Sequence, residues 1–371
     1  MVVFRWMVLP VLAVCAFTAW LYVYVYRGTR FFLKKYSKMK QRILAVLITV
    51  LLIVPVRFSL LWFIFLAHFS VLLLLTELIF FTVSKIRKKE LEGWLIAVRR
   101  SGIPALMLAA AVLGYGSYNM HHIVKTGFEV STDKKLRTEG YKIALIADLH
   151  YGISLEHDGL AAVVEEIGKE KPDVVVLDGD IVDERTTKEQ MEDAFATLGK
   201  ISSTYGVFYV YGNHDKNFYS SSPDYTVEQL EAAVQEAGIT ILEDDAAKIN
   251  SELVLLGRAD RSYAPERMPV AELAAGQDEN SVLVVLDHQP TGYDEIREAG
   301  CDMVLSGHTH AGQIWPLGLF ARLFHLDEMS YGYEKADGLN MLVTSGMAGW
   351  GVPIRTQKHS EYMVITLKNK E

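Results

Sequence analysis

A chain of 371 residues exceeds one ordinary domain, and its charge is divided unevenly. Residues 1–125 carry 16 Lys and Arg against 3 Asp and Glu, whereas residues 126–371 carry 21 against 42. So acidic a C-terminal part argues against a nucleic-acid groove, because phosphate binding rests on Lys and Arg. The two cysteines, Cys15 and Cys301, imply neither a disulfide framework nor a thiolate zinc site.

From Val2 to Tyr26 the chain is almost wholly apolar, broken by Arg5. That exceeds the roughly 20 residues a membrane helix needs. A basic run follows (Arg27, Arg30, Lys34, Lys35, Lys38, Lys40, Arg42) without a small-residue cleavage site, so a retained span is favoured over a signal peptide. Residues 43–83 hold two more apolar arms about Pro55, Arg57 and Ser59, as in a helical hairpin. His68 and Glu77 fall in the second arm, where ionisable groups point to function by default, and Glu77 is expected near the interface or paired within the bundle. After a second basic loop (Lys85, Arg87, Lys88, Lys89, Arg99, Arg100), Ile103 to about Val124 makes a fourth span. The expectation is a multi-pass protein of the cell membrane, with about four helices over residues 1–124. Placing both basic loops in the cytoplasm puts the C-terminal part on the opposite side.

A polar connector is expected over 125–140, and a separate domain over 141–371. There, β-rich apolar runs recur at 142–147, 173–178, 207–211, 253–257, 282–287, 303–306, 341–345 and 362–367. Helical patterns such as Leu160 to Lys169 and Met191 to Ile201 separate the early ones, while later runs follow each other closely. This predicts an α/β fold, a layered sandwich with mixed sheets, preceded by an α-helical transmembrane region. Phe218 to Tyr225 and Trp315 to His325 read as irregular segments, the latter apolar enough to dip into a membrane interface, hold an acyl chain or pack in a core.

Five of the apolar runs end in polar clusters. Val207 to Tyr211 leads into Gly212, Asn213, His214 and Asp215, which alone would pass for an ordinary turn. The others end in Asp148-Leu149-His150, in Asp178-Gly179-Asp180-Ile181-Val182-Asp183, in Asp287-His288 and in Ser306-Gly307-His308-Thr309-His310. Residues two apart on an extended chain point the same way, so Asp148 with His150 can share one ion. Carboxylates and imidazoles gathered at one sheet edge without a cation would be costly to bury.

These motifs, in this order, resemble those of the calcineurin-like metallophosphoesterases, and most closely a membrane-linked bacterial-type branch of them: D-x-H, G-D-x-x-D, G-N-H-D, a lone His and G-H-x-H. The resemblance covers about residues 141–313 and leaves the membrane part untouched. It implies a two-metal site in which Asp148, His150 and His310 hold one ion, Asn213, His288 and His308 the other, and Asp180 bridges. His214 would be the catalytic histidine, with Asp215 as an orienting partner for an imidazole and Asp183 supporting the shell. Oxygen and nitrogen donors suit Mn, Fe or Zn. The implied activity is hydrolysis of a phosphomonoester, phosphodiester or pyrophosphate by attack of a hydroxide shared by the metals. The expected partners are a phosphorylated substrate, lipid-linked in one version, and a membrane. The alternative is a catalytically silent metal-binding membrane sensor, which a missing ligand would have favoured; none is missing.

Overall fold

The computed structural model describes residues 2–87 and 92–370 and divides into two compact units, Met1–Gly114 and Tyr115–Glu371. The first unit is helical: α1 (Val2–Phe32), α2 (Lys38–Ile53), a 3-10 turn at Val54–Arg57, α3 (Leu60–Arg87) and α4 (Gly93–Ser101), followed by α5 (Ile103–His121), whose last turns belong to the second unit. Among the described residues three helices are long and apolar enough to cross a membrane: Lys38–Arg57, Leu60–Arg87 and Ile103–His121. The first expected span falls on α1, where the side chains before residue 14 lie outside the described residues, as do Lys88 and Lys89. Pro55, in the first turn of the 3-10 segment, breaks α2 from α3, because its ring cannot continue the helix. The hairpin closes where Trp62 Nε1 donates to Leu52 O at 2.8 Å. Glu77 pairs within the bundle, accepting from Arg99 Nε at 2.9 Å.

The second unit has two six-stranded sheets. Sheet one runs β1 (Val124–Thr132), β12 (Glu361–Asn369), β2 (Tyr141–Ile146), β3 (Val174–Asp178), β4 (Val207–Val210) and β5 (Thr240–Ile241). Sheet two runs β10 (Gly332–Ala336), β11 (Leu339–Val343), β9 (Met303–Ser306), β8 (Val282–Leu286), β7 (Leu253–Gly257) and β6 (Asp245–Lys248). β2, β3 and β4 are mutually parallel, as are β7, β8 and β9. Antiparallel pairs such as β12 with β2 and β6 with β7 make both sheets mixed.

Strand alternation builds the layers. On β3, Val174 and Val176 join Ile143, Leu255, Val284 and Leu305 in a core fed by both sheets, while Val175 and Leu177 face the other way. That second face is covered by α6 (His157–Lys169), α7 (Lys188–Leu198) and α8 (Val227–Glu236), through Leu160, Phe195 and Leu230. The outer face of sheet two packs on α9 (Val270–Ala274) and α10 (Tyr293–Glu298) through Val270, Leu273 and Ile296. The α/β sandwich with mixed sheets expected from the sequence is therefore the fold.

Two expectations need correction. The stretch expected as a connector, 125–140, holds β1, which pairs parallel to β12 from Val124 opposite Glu361 to Thr132 opposite Asn369. Its inward residues (Thr126, Phe128, Val130) alternate with exposed Lys125, Gly127, Glu129 and Ser131, and an edge strand with one wet face reads as polar chain. The segment 315–325 is not irregular throughout, since it forms α11 (Leu317–Phe324).

Candidate metal centre

Because β2, β3, β4, β8 and β9 all point their carboxyl ends to one edge, the five polar clusters meet there, where functional groups collect in α/β folds. The backbone ties the loops together: Asp148 N donates to Gly179 O and His150 N to Asp180 O, both at 3.0 Å. Several of these residues leave ordinary backbone space. Asp148, His150, Asp180, His308 and His310 have φ between 40° and 70°, a left-handed conformation that non-glycine residues adopt at a cost of about 1–3 kcal/mol each and that clusters at functional sites.

Two groups of side chains result. Asp148, His150 and His310 each offer a ligand atom within 4.8 Å of the others, and so do Asp180, His288 and His308. His150 Nε2 lies 3.2 Å from His310 Nε2 and 3.7 Å from Asp180 Oδ2. Asp180 Oδ2 also lies 3.2 Å from His288 Nε2, so this carboxylate stands between the groups. Asn213 Oδ1 is 2.8 Å from His308 Nδ1. All seven residues expected to bind metal are thus gathered at one place.

The donor set fits cations. His288 Nδ1 lies 2.7 Å from the Asp178 carbonyl, which fixes the ring with its proton there and turns Nε2 toward Asp180. That Nε2 is buried and faces the Asp180 carboxylate at 3.2 Å. Burial pushes His308 down to about 4 and His310 well below the usual histidine range, leaving neutral imidazoles with free lone pairs. Burial pushes Asp148 up to about 6. For Asp180 burial acts the same way, but His288 and His150 outweigh it and hold the carboxylate ionised. For His288 burial favours the neutral ring, yet Asp180 and Asp148 win and draw positive charge onto it. A site that pulls a proton onto a buried imidazole is one that attracts cations.

His214 sits beside these groups, its ring 5.4 Å from that of His150, with its backbone N donating to Asp180 Oδ1 at 2.9 Å. Its Nδ1 lies 2.9 Å from Glu184 Oε2. Burial alone would lower its pKa, but Glu184 and Asp180 raise it. The orienting carboxylate for this imidazole is therefore Glu184 and not the neighbouring Asp215. Asp215 is instead fully buried beneath the loops, accepting from the backbone N of Asp180, Ile181, Val182 and Gly212 at 2.6–3.1 Å. Asp183 Oδ2 lies behind His150, 3.4 Å from Nδ1.

Sequence reasoning missed three contributors. Glu184 follows the G-D-x-x-D motif directly, and its acidity next to a motif was the available signal. Arg355, fully buried, donates from Nη1 to the His310 carbonyl at 2.9 Å, and no local pattern marks it. Trp350 stands beside His214, the rings tilted by 32° with centroids 5.8 Å apart.

The fold and the site define a class: a layered α/β domain with two adjacent oxygen- and nitrogen-donor groups at a strand-end edge. Residues 141–312 match the family model described as calcineurin-like phosphoesterase. An uncharacterized metallophosphoesterase of Helicobacter pylori is 31% identical over 237 residues, covering 62% of this chain and 60% of that protein. A transmembrane protein with metallophosphoesterase domain from Danio rerio is 28% identical, over 72% of this chain and 63% of that one. This chain thus spans less than two thirds of the length of either relative. A solved dimetal phosphatase from Danio rerio superposes with a TM-score of 0.39 at 12% identity, over 56% of this chain and 88% of that one. Over residues 141–312 the chain is thus similar to the calcineurin-like phosphoesterases.

Proposed function

We propose that the chain is a membrane-anchored, di-metal phosphoesterase acting on a phosphomonoester, phosphodiester or pyrophosphate. In this reading residues 1–124 are the membrane region and residues 141–371, joined by strand β1, are the catalytic domain facing away from the cytoplasm. Asp148, His150 and His310 hold one divalent cation, Asn213, His288 and His308 the other, and Asp180 bridges, with Mn, Fe or Zn as candidates. The observation that carries the reading is Asp180 Oδ2, which lies within 3.7 Å of His150 Nε2 and 3.2 Å of His288 Nε2, one from each group.

When bound, paired cations lower the pKa of a water and neutralise phosphoryl charge. The chain's own residues do the rest. Glu184 accepts from Nδ1–H of His214 and, with Asp180, favours the imidazolium, whose second proton on Nε2 is then available to the leaving oxygen. The backbone N–H of His308 donates to both Asp148 oxygens at 3.0 Å, which holds that carboxylate in place.

The test is turnover of the full-length protein in detergent, stripped of metal and titrated with Mn²⁺, on nitrophenyl mono- and diesters and a lipid pyrophosphate. Mn-dependent hydrolysis that Asp180→Asn abolishes together with metal uptake is the expected result. Two bound metals with every ester left intact would overturn it in favour of a silent sensor.

A further inference from the structure

The surface that neither the core nor the metal centre explains is α11, which begins seven residues after His310. It reads Leu-Gly-Leu-Phe-Ala-Arg-Leu-Phe, and only Gly318 is buried. Leu317, Leu319, Phe320, Leu323, Phe324 and the following Leu326 are each 46–68% exposed. A helix of a soluble domain buries its apolar stripe, and an exposed apolar patch of this extent marks an interaction surface.

What covers it follows from where its base is fixed. Trp315 N donates to Thr356 Oγ1 at 2.9 Å, and Gln357 Nε2 donates to Ala311 O at 3.0 Å. A Cβ on Gly318 would come within 2.8 Å of Ala311 O, so the first turn of the helix is pressed onto that support. The same loop receives the end of a membrane span. Arg355 N donates to Gly116 O at 3.0 Å and Asn119 Nδ2 to Arg355 O at 3.1 Å, both partners lying in the last turns of α5. Residues 355–357 therefore hold the exit of a span on one side and the foot of α11 on the other. The end of a span lies at a bilayer surface, so α11 stands beside one.

The composition agrees with that place. Leu and Phe dominate, Arg322 is the helix's one charged residue, and a half-exposed Trp315 precedes it, as in helices lying in the interfacial plane. The apolar surface also continues to the metal centre. Trp350, 48% exposed, is joined to the α11 base where its N donates to Gln313 Oε1 at 2.9 Å, and its ring faces His214. On the other side of His214 stands Tyr219, with ring centroids 5.3 Å apart, next to Phe218; both are exposed.

We infer that Leu317–Phe324 is an interfacial helix seated in the bilayer beside the end of α5, and that it presents lipid-linked phosphate to the metal centre. The substrate half of this inference rests on the phosphoesterase reading above; the insertion half does not. In the hydrolysis, water supplies the new P–O bond, the P–O bond to the leaving group breaks, and a proton passes through His214 to the leaving oxygen.

The test uses the full-length protein in vesicles of phosphatidylethanolamine and phosphatidylglycerol, with a nitrobenzoxadiazole probe on Leu323→Cys in a Cys15→Ser background. The probe should be quenched by doxyl groups on the acyl chains and not by aqueous iodide. Quenching by iodide alone, or protection from both quenchers that grows with protein density, would overturn insertion in favour of solvent or a second copy of the chain. In parallel, L319S/F320S/L323S/F324S should lose at least about 10-fold in kcat/KM on a lipid pyrophosphate in vesicles while soluble nitrophenyl esters are turned over as before. Equal turnover of the vesicle substrate by both proteins would overturn the substrate half. An inserted probe in a protein that hydrolyses no ester would sink the phosphoesterase reading and leave the interfacial helix standing.

Discussion

At the scale of single residues, His214 depends on a carboxylate that is not its neighbour in sequence. Glu184 holds Nδ1 from another loop, so removing its charge should turn or retune the ring without touching either ligand group. Glu184→Gln should keep full metal content and lose roughly 10-fold in kcat, against about 10²–10⁴ for His214→Ala. Metal analysis beside turnover checks this, and metal loss in Glu184→Gln would assign Glu184 to the ligand shell instead. Glu361 is a second carboxylate with a measurable role, and it is fully buried. It accepts from Ser345 N at 2.9 Å, Thr344 Oγ1 and Tyr331 Oη at 3.1 Å, and Thr126, with His359 Nε2 at 3.0 Å. Burial opposes its ionisation, but His359, the Ser345 N–H and Thr126 outweigh it and hold the carboxyl at about 2. A folded-state pKa below the unfolded one gives stability that is complete above about pH 4.5 and lost as the pH falls through about 2. Denaturant titrations between pH 6 and pH 2.5 should therefore fall less steeply for Glu361→Gln than for wild type; parallel declines would contradict the assignment.

At the scale of elements, the strand ends were legible because parallel strands buried on both faces read as unbroken apolar runs that stop abruptly. β3 and β8 are buried at every position, and the motifs begin at the last strand residue or just beyond it. β1 was not legible, since its exposed residues are polar and its partner, β12, lies over 230 positions away. Leu136, which follows β1, is 4% exposed and packs in the core between the sheets. Leu136→Ala should therefore cost about 2–5 kcal/mol in urea unfolding, whereas a residue in a free connector would cost no more than about 0.5 kcal/mol. α11 escaped notice as a helix because a short, mostly apolar run of eight residues fits a helix, a strand or a core loop equally well.

At the scale of the whole molecule, charge distribution carries the topology. The run Arg27 to Arg42 and the cluster about Arg99 flank the apolar helices, and the proposed topology, drawn from the positive-inside rule, has both in the cytoplasm. In a cysteine-free background, Ser221→Cys should then react with an impermeant maleimide on intact cells, and Lys35→Cys only after permeabilisation. The reverse pattern would turn the α/β domain to the cytoplasm and change the pool of phosphates the proposed activity could meet.

The sequence by itself determined which oxygen- and nitrogen-bearing side chains stand at the strand ends and in what order, because sheets demand apolar runs before them. It also marked helices long and apolar enough to cross a membrane, since composition alone meets the length a bilayer requires. Only the tertiary structure decided which carboxylate orients His214, that Arg355 holds the His310 carbonyl, and that 124–132 joins a sheet. Each of these is a contact between distant segments, and its energy depends on geometry that no local pattern encodes. The apolar helix shows the same division: its residues are plain in the sequence, but their exposure beside the last turns of α5 follows from how residues 355–357 pack.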